Sequence, residues 1–220
     1  MPFSPLLLIL FLFLAVFLVA FVQVGVLSVA VDKLGLPPEA LLLLLFGSLL
    51  GSTVNLPLFT MRATGPPPSS AHLLYRMGLL QPRLPFHGRT LVAINLGGGV
   101  IPIAFALYLW GHASLSTLQV ASAVAVVSAI SYWASRPVPG MGVAMPLFVG
   151  PVAAAVTALL IGGSQSAPLA YICGTLGVLV GADLLRIGDI RRMGTPLASI
   201  GGAGTFDGIY ITGIVAVLLA

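Results

Sequence analysis

Long apolar stretches fill most of this chain, and nearly all of its charged residues stand in the short segments between them. Only 6% of the 220 residues are charged and 59% are hydrophobic, whereas a soluble domain carries about 25% charged residues. The mean hydropathy is +1.14. Because a backbone surrounded by lipid must satisfy its own hydrogen bonds, the sequence predicts an all-α, polytopic membrane helical bundle.

The apolar stretches are numerous enough for about seven spans of roughly 20 residues, the length at which a helix crosses a bilayer. We predict spans at residues 5–31, 40–59, 90–110, 115–135, 141–162, 168–187 and 199–220. Together they form a single transmembrane domain over residues 1–220. The one long connection, residues 60–89, is either an interfacial segment with its leucines in lipid or a solvated loop.

Basic residues set the predicted orientation, because lysine and arginine are retained on the cytoplasmic side of a membrane. The connections on one side carry all eight arginines, and those on the other side carry only Lys33. This alternation predicts a cytoplasmic amino terminus, an external carboxyl terminus and a multi-pass protein of the cell (inner) membrane. It also accounts for the net charge of +4, so we expect membrane lipids and no nucleic acid as partners.

Disulfide and metal chemistry are not indicated by the sequence. The single cysteine, Cys173, excludes an intramolecular disulfide and a cysteine-cluster metal site. The three histidines lie in or beside connections and have no partner at helical spacing. We therefore expect no metal and no cofactor, and the sequence does not specify an oligomeric state.

Two carboxylates stand inside apolar stretches near the end of the chain. On the rise of a helix, Asp183 lies roughly 6 Å from the cytoplasmic end of the sixth span, and Asp207 roughly 12 Å into the seventh. An ionisable group inside a membrane is costly and is a functional hypothesis by default. Asp183 also stands three residues before Arg186, so a local ion pair is the alternative for this acid.

Two asparagines fall at a similar predicted depth, and three glycines precede the second acid. Asn55 ends the second span and Asn95 begins the third, both near the cytoplasmic side. As an alternative to a role in a site, each amide can hydrogen-bond across a helix interface. Three glycines before Asp207 would let the backbone of a substrate strand approach; they are Gly201, Gly202 and Gly204. The asparagines would act as supporting donors around the two acids.

Two carboxyl groups that meet away from water cannot both ionise easily, so one keeps its proton while the other acts as a base. Such a pair can activate a water for attack on a peptide carbonyl and protonate the departing amine. The same pair can bind and release a proton or cation. The residues thus leave three functions open, namely an intramembrane aspartyl protease, a proton- or cation-coupled transporter or channel, and a non-catalytic membrane scaffold.

Several segments resemble a family of prokaryotic integral membrane proteins known only as a domain of unknown function. These segments are Asn95-Leu-Gly-Gly, Gly181-Ala-Asp-Leu-Leu and Ala198-Ser-Ile-Gly-Gly-Ala-Gly-Thr-Phe-Asp-Gly. The resemblance covers most of the chain and implies no particular activity.

More distantly, the layout resembles the presenilin and signal-peptide-peptidase group of intramembrane aspartyl proteases. In that group one catalytic Asp lies near the cytoplasmic end of a sixth span, and the other lies in a Gly-x-Gly-Asp motif at the start of a seventh. Here Thr205 and Phe206 separate the Gly-x-Gly from Asp207, Ala182 replaces an aromatic residue, and no Pro-Ala-Leu motif follows. The resemblance implies that Asp183 and Asp207 are a catalytic pair acting on a transmembrane-helix substrate.

Overall fold

The computed structural model describes residues 10–17, 26–64, 88–138, 142–202 and 208–220. Helices make up most of these residues, and short strands accompany them. The helices are α1 (residues 10–17), α2 (Val26–Leu34), α3 (Pro38–Gly51), α4 (Ile101–His112), α5 (Thr117–Ala134), α6 (Val149–Ile161), α7 (Ser166–Val178), α8 (Ile187–Met193) and α9 (Gly208–Leu219). The strands are β1 (Asn55–Arg62), β2 (Arg89–Asn95), β3 (Arg136–Val138), β4 (Gly142–Ala144) and β5 (Leu197–Ile200).

Helix α7 is the centre of the bundle. Nearly all of its residues are buried, and it packs against α4, α5, α6 and α9. Small residues allow these close contacts, since a Cβ on Gly181, in the continuation of α7, would overlap the carbonyl oxygen of Ser128 in α5. The glycines of the sixth predicted span therefore serve helix packing.

The helices alternate in direction, so the bundle has two distinct ends. The start of α7 meets the end of α9, where Ser166 Oγ lies 3.5 Å from Ala220 O. At the same end, Lys33 Nζ of α2 donates to Leu218 O at 3.3 Å. The opposite end, where α3, α5 and α7 finish and a sheet is attached, is called the sheet end below.

The sheet consists of β1, β2 and β5 in the order β1-β2-β5. Strands β1 and β2 are antiparallel, whereas β2 and β5 are parallel, with Leu91 opposite Leu197 and Ile94 opposite Ile200. Glycines follow both parallel strands, and the next helices along the chain are α4 and α9. Strands β3 and β4 form a separate antiparallel pair.

Two π-helical segments adjoin this sheet. Leu96–Val100 is the entry to α4, and Leu179–Leu184 continues α7 beyond Val178. Asn95 caps the first segment by accepting a hydrogen bond from Gly98 N at 2.8 Å, and Asp183 lies in the second. Single π-helical turns are frequent at functional sites, and both of these lie at the sheet end of the bundle.

The strands correct the prediction of an all-helical fold. The second predicted span, residues 40–59, is helical only to Gly51, and Asn55–Arg62 is a strand. The spans predicted at 90–110, 141–162 and 199–220 likewise contain strand residues before their helices. Short apolar runs do not distinguish helix from strand, and Pro57, which cannot donate to a ladder, lies at an irregularity of β1.

Two helices in the described part of the chain are long and apolar enough to cross a membrane. The first is α5 (Thr117–Ala134), with 18 residues. The second is Gly163–Leu184, with 22 residues, which consists of α7 and the helical turns at its two ends. The apolar helices Leu96–His112 and Val149–Ile161 are shorter. These helices favour a membrane protein, while the seven-span count and the orientation stay predictions. Parts of the first span (residues 5–9 and 18–25) and most of the long connection (residues 65–87) lie outside the described residues.

Arg186 fastens the end of α7 to the end of α5. Its Nη2 donates to Tyr132 O at 2.7 Å and to Ser135 O at 2.9 Å. Its Nη1 pairs with Asp189 Oδ2 at 3.2 Å, and its guanidinium carbon lies 4.1 Å from the centre of the Tyr132 ring. The last carbonyls of a helix lack partners within it and attract positive charge, so Arg186 completes the end of α5.

We expect Arg186→Gln to destabilise the fold by about 2 kcal/mol, because hydrogen bonds from a charged donor contribute about 1.5–3 kcal/mol. The measurement is thermal unfolding of the purified protein in detergent. Arg192→Gln is the matched control, since Arg192 is an exposed arginine of α8 and should change the melting temperature little. Equal melting temperatures for the two variants would show that the contacts of Arg186 with the end of α5 do not stabilise the fold.

Candidate functional site

A row of predicted site residues crosses the end of the sheet. Asn55, the first residue of β1, pairs with Asn95, the last residue of β2. Ile94 pairs with Ile200, so the next residues, Asn95 and Gly201, are level with each other. Adjacent strands are about 4.8 Å apart, and the three residues Asn55, Asn95 and Gly201 therefore lie side by side.

Asp183, in the π-helical continuation of α7, contacts this row. Its Oδ2 accepts a hydrogen bond from Gly201 N at 3.3 Å, and the residue is half-buried. Arg186, the alternative partner suggested by the sequence, forms an ion pair with Asp189. The structure thus brings Asn55, Asn95, Gly201 and Asp183 together at one end of the bundle.

Asn95 is the buried centre of the row, with no exposed surface. Its Nδ2 donates to Ser52 O at 2.7 Å and to Asn55 Oδ1 at 3.1 Å, and its Oδ1 accepts from Gly98 N. Both amide hydrogens and the amide oxygen therefore have partners. Through these bonds Asn95 ties together the end of α3, the start of β1 and the entry to α4.

Ser199 belongs to the same network and is not among the residues predicted from the sequence. Its Oγ donates to Asn55 Oδ1 at 2.5 Å, reaching across the small Ala93, which is its partner on β2. The parallel register places Leu91-Val-Ala-Ile94 beside Leu197-Ala-Ser-Ile200, and glycines soon follow both segments. Comparing these two Leu-x-x-Ile segments is the sequence signal that would have located Ser199.

Gly201 and Gly202 shape the turn after β5. Their φ angles are +77° and +89°, a region that side chains rarely adopt. A Cβ on Gly201 would lie 2.6 Å from Gly99 N and 2.7 Å from Gly98 C, so Gly201 packs directly on the entry to α4. Contact of Gly201 and Gly202 with a substrate stays a prediction.

Asp207 and Gly204 lie outside the described residues, but residues on both sides of them are described. Gly201 is bonded to Asp183, and Gly208 begins α9. Helix α9 runs antiparallel to α7, with Ser166 beside Ala220 and Gly174 beside Thr212. The start of α9 is therefore at the same end of the bundle as Asp183.

The exposed arginines lie at one end of the bundle, and the charged residues of α2 lie at the other. The exposed arginines of the described chain are at or beside the sheet end: Arg62, Arg89, Arg136, Arg191 and Arg192. Lys33 and Asp32 are at the opposite end, where α2 finishes. Within the described ranges no three residues among His, Cys, Asp and Glu are grouped so that they could hold a metal ion.

Comparison with known families gives a match that includes every residue of this row. A family model for proteins of unknown function, DUF1614, matches residues 49–219. The chain belongs to the DUF1614 family. The DUF1614 match runs from the end of α3 to the end of α9 and includes Asn55, Asn95, Asp183 and Asp207. It confirms the resemblance to a family of unknown function. Searches of curated proteins and of solved structures gave no match, and the likeness to presenilins stays a proposal.

Proposed function

We propose that this chain is an intramembrane aspartyl protease in which Asp183 and Asp207 act as an acid/base pair on a transmembrane-helix substrate. The observation that carries the proposal is the hydrogen bond from Gly201 N to Asp183 Oδ2. It joins Asp183 to Gly201, which in the sequence directly precedes Gly202-Ala-Gly204. That segment resembles the Gly-x-Gly of the presenilin group and is separated from Asp207 by Thr205 and Phe206.

In this proposal the bundle is a multi-pass protein of the inner membrane. Seven passes correspond to α1 with α2, then α3, α4, α5, α6, α7 and α9. The alternating directions of the helices and the arginines at the sheet end support this arrangement, since arginine marks the cytoplasmic side. The sheet would then lie at the cytoplasmic surface, with the carboxyl terminus outside.

The chemistry of the proposed pair is general acid and base catalysis. One carboxylate removes a proton from a water molecule, which attacks the peptide carbonyl, while the other carboxyl group, still protonated, gives its proton to the departing amine. The amide of Gly201 contributes by donating to Asp183, which fixes the direction of the carboxyl group. Two carboxyl groups that meet would share one proton, because like charges close together cannot both ionise easily.

The test is cleavage of a single-span reporter peptide by purified protein in liposomes. We expect cleavage by the wild-type protein and none by Asp183→Asn or Asp207→Asn, because each change removes a proton-transfer group while keeping the side-chain size. Asp32→Asn is the matched control, since Asp32 is exposed at the opposite end and should leave cleavage unchanged. Cleavage that survives in the double variant Asp183→Asn/Asp207→Asn would rule out the protease proposal.

Proton- or cation-coupled transport is a second candidate, and the two π-helical segments favour it. Leu96–Val100 and Leu179–Leu184 are irregular helix ends beside the polar row, and irregular backbone at helix ends supplies ion sites in transporters. Proton or cation flux into liposomes that Asp207→Asn abolishes, without any reporter cleavage, would favour transport. If the acid variants lower only thermal stability, the acids act as a scaffold.

A further inference from the structure

In the side-chain amide of Asn55, the oxygen is held by hydrogen bonds and the NH2 group is open to a ligand. Its Oδ1 accepts hydrogen bonds from Asn95 Nδ2 at 3.1 Å and from Ser199 Oγ at 2.5 Å. An amide oxygen has two lone pairs, so both are used. In the described part of the chain no hydrogen bond runs from Asn55 Nδ2 to an acceptor, and the residue is only half-buried. The two incoming bonds therefore hold the oxygen in the network and turn the NH2 group away from it.

This open donor is close to the acid of α7. Ser199 and Gly201 are two residues apart, which is about 7 Å along an extended chain. Asn55 Oδ1 is in contact with the first of them, and Asp183 Oδ2 is in contact with the second. An extended peptide that passes Asp183 would thus reach the amide of Asn55 after about two or three residues.

We propose that Asn55 binds a main-chain carbonyl of an extended peptide substrate, two or three residues from the bond that faces Asp183. This inference rests on the proposed protease function and deepens it by naming a substrate-binding residue. The ligand class follows from the chemistry of the donor, because an NH2 group has no lone pair for a cation and binds oxygen acceptors. Asn95 and Ser199 are positioning residues that fix the direction of this donor.

The decisive variant is Asn55→Asp. A carboxylate of the same shape keeps both acceptor contacts, with Asn95 Nδ2 and Ser199 Oγ, and replaces the open donor by an acceptor. We expect KM for the reporter peptide to rise by about tenfold with kcat little changed, because the lost contact is made equally in the ground and transition states. Ser199→Ala removes one of the two orienting bonds and should raise KM less. Thr60→Val, at an exposed position of β1, is the control without effect.

The outcomes separate this inference from the protease proposal. If the wild-type protein cleaves and Asn55→Asp has an unchanged KM, the role of Asn55 is refuted while the protease function stands. If the wild-type protein does not cleave, the protease function fails, and binding of the same reporter, fluorescently labelled, in nanodiscs decides about Asn55. About tenfold weaker binding to Asn55→Asp supports the donor role. Equal binding, or no binding to the wild-type protein, overturns it.

A second measurement keeps the inference testable should Asn55→Asp fail to fold. Replacing one backbone amide of the reporter by an ester weakens the adjoining carbonyl as an acceptor. A scan of such esters along the reporter, with wild-type protein, should weaken binding most at one position two or three residues from the cleaved bond. A uniform effect along the peptide would refute a specific carbonyl contact at Asn55.

Discussion

Replacing Gly97 by alanine is expected to abolish folding of the bundle. The added methyl group would overlap the carbonyl oxygen of Ser48 and the amide nitrogen of Ser52, and these backbone atoms at the end of α3 cannot rotate away. Gly51 approaches the same turn, since a Cβ there would lie 2.9 Å from Gly97 N. To admit the methyl group, α3 and the entry to α4 must separate, which also breaks the bond from Asn95 Nδ2 to Ser52 O.

We expect this substitution to cost more than about 4 kcal/mol, the range of the most severe single changes. The measurements are the size-exclusion profile in detergent and the presence of a cooperative thermal transition. Gly111→Ala is the matched control, because a Cβ at Gly111 meets no atom within 4 Å and alanine favours a helix by about 1 kcal/mol. A Gly97→Ala protein that melts at the wild-type temperature would show that α3 and α4 are not in backbone contact.

Asn95→Asp is expected to destabilise the fold by about 3 to 5 kcal/mol. The two side chains have the same shape, but the aspartate loses both donors and turns an acceptor towards Ser52 O and Asn55 Oδ1. Each buried group left without its hydrogen bond costs about 1–3 kcal/mol, and a buried charge without a partner adds to this. Because Asn95 has no exposed surface, water cannot replace the lost partners.

The comparison variant for this prediction is Asn55→Asp. Asn55 only accepts hydrogen bonds in the network, and it is half-buried, so the same chemical change should lower the melting temperature far less. Thermal unfolding of both variants in one detergent measures the difference. Equal losses would mean that the direction of the hydrogen bonds between Asn55 and Asn95 is reversed.

Much of the helical core can be predicted from the sequence, because long apolar stretches have few other ways to satisfy their backbone. The stretch that becomes α5 shows this, since Thr117–Ala134 lies inside the predicted span 115–135. Counting residues from the ends of the predicted spans also predicts that Asn55, Asn95 and Asp183 lie near the same side. These three residues lie in or beside one row at the sheet end.

The sheet cannot be predicted from the same information, because each strand and the helix that adjoins it in the sequence form one continuous, mostly apolar stretch. The pairing of β2 with β5 joins segments that are far apart in the chain, and no local pattern encodes that contact. For the same reason the sequence does not predict the packing of Gly201 on Gly98 and Gly99 or the hydrogen bond from Ser199 to Asn55. The glycine turns are visible in the sequence, whereas their partners are determined only by the tertiary fold.

The wide turn at Leu179–Leu184 sets the direction of the acid that it carries. A π-helical turn holds one residue more than an α-helical turn, and one residue corresponds to about 100° of rotation around a helix. Without the extra residue, Asp183 would be turned by about 100° around the helix axis, away from its hydrogen bond with Gly201. The widened turn is thus what aims this carboxyl group at the sheet.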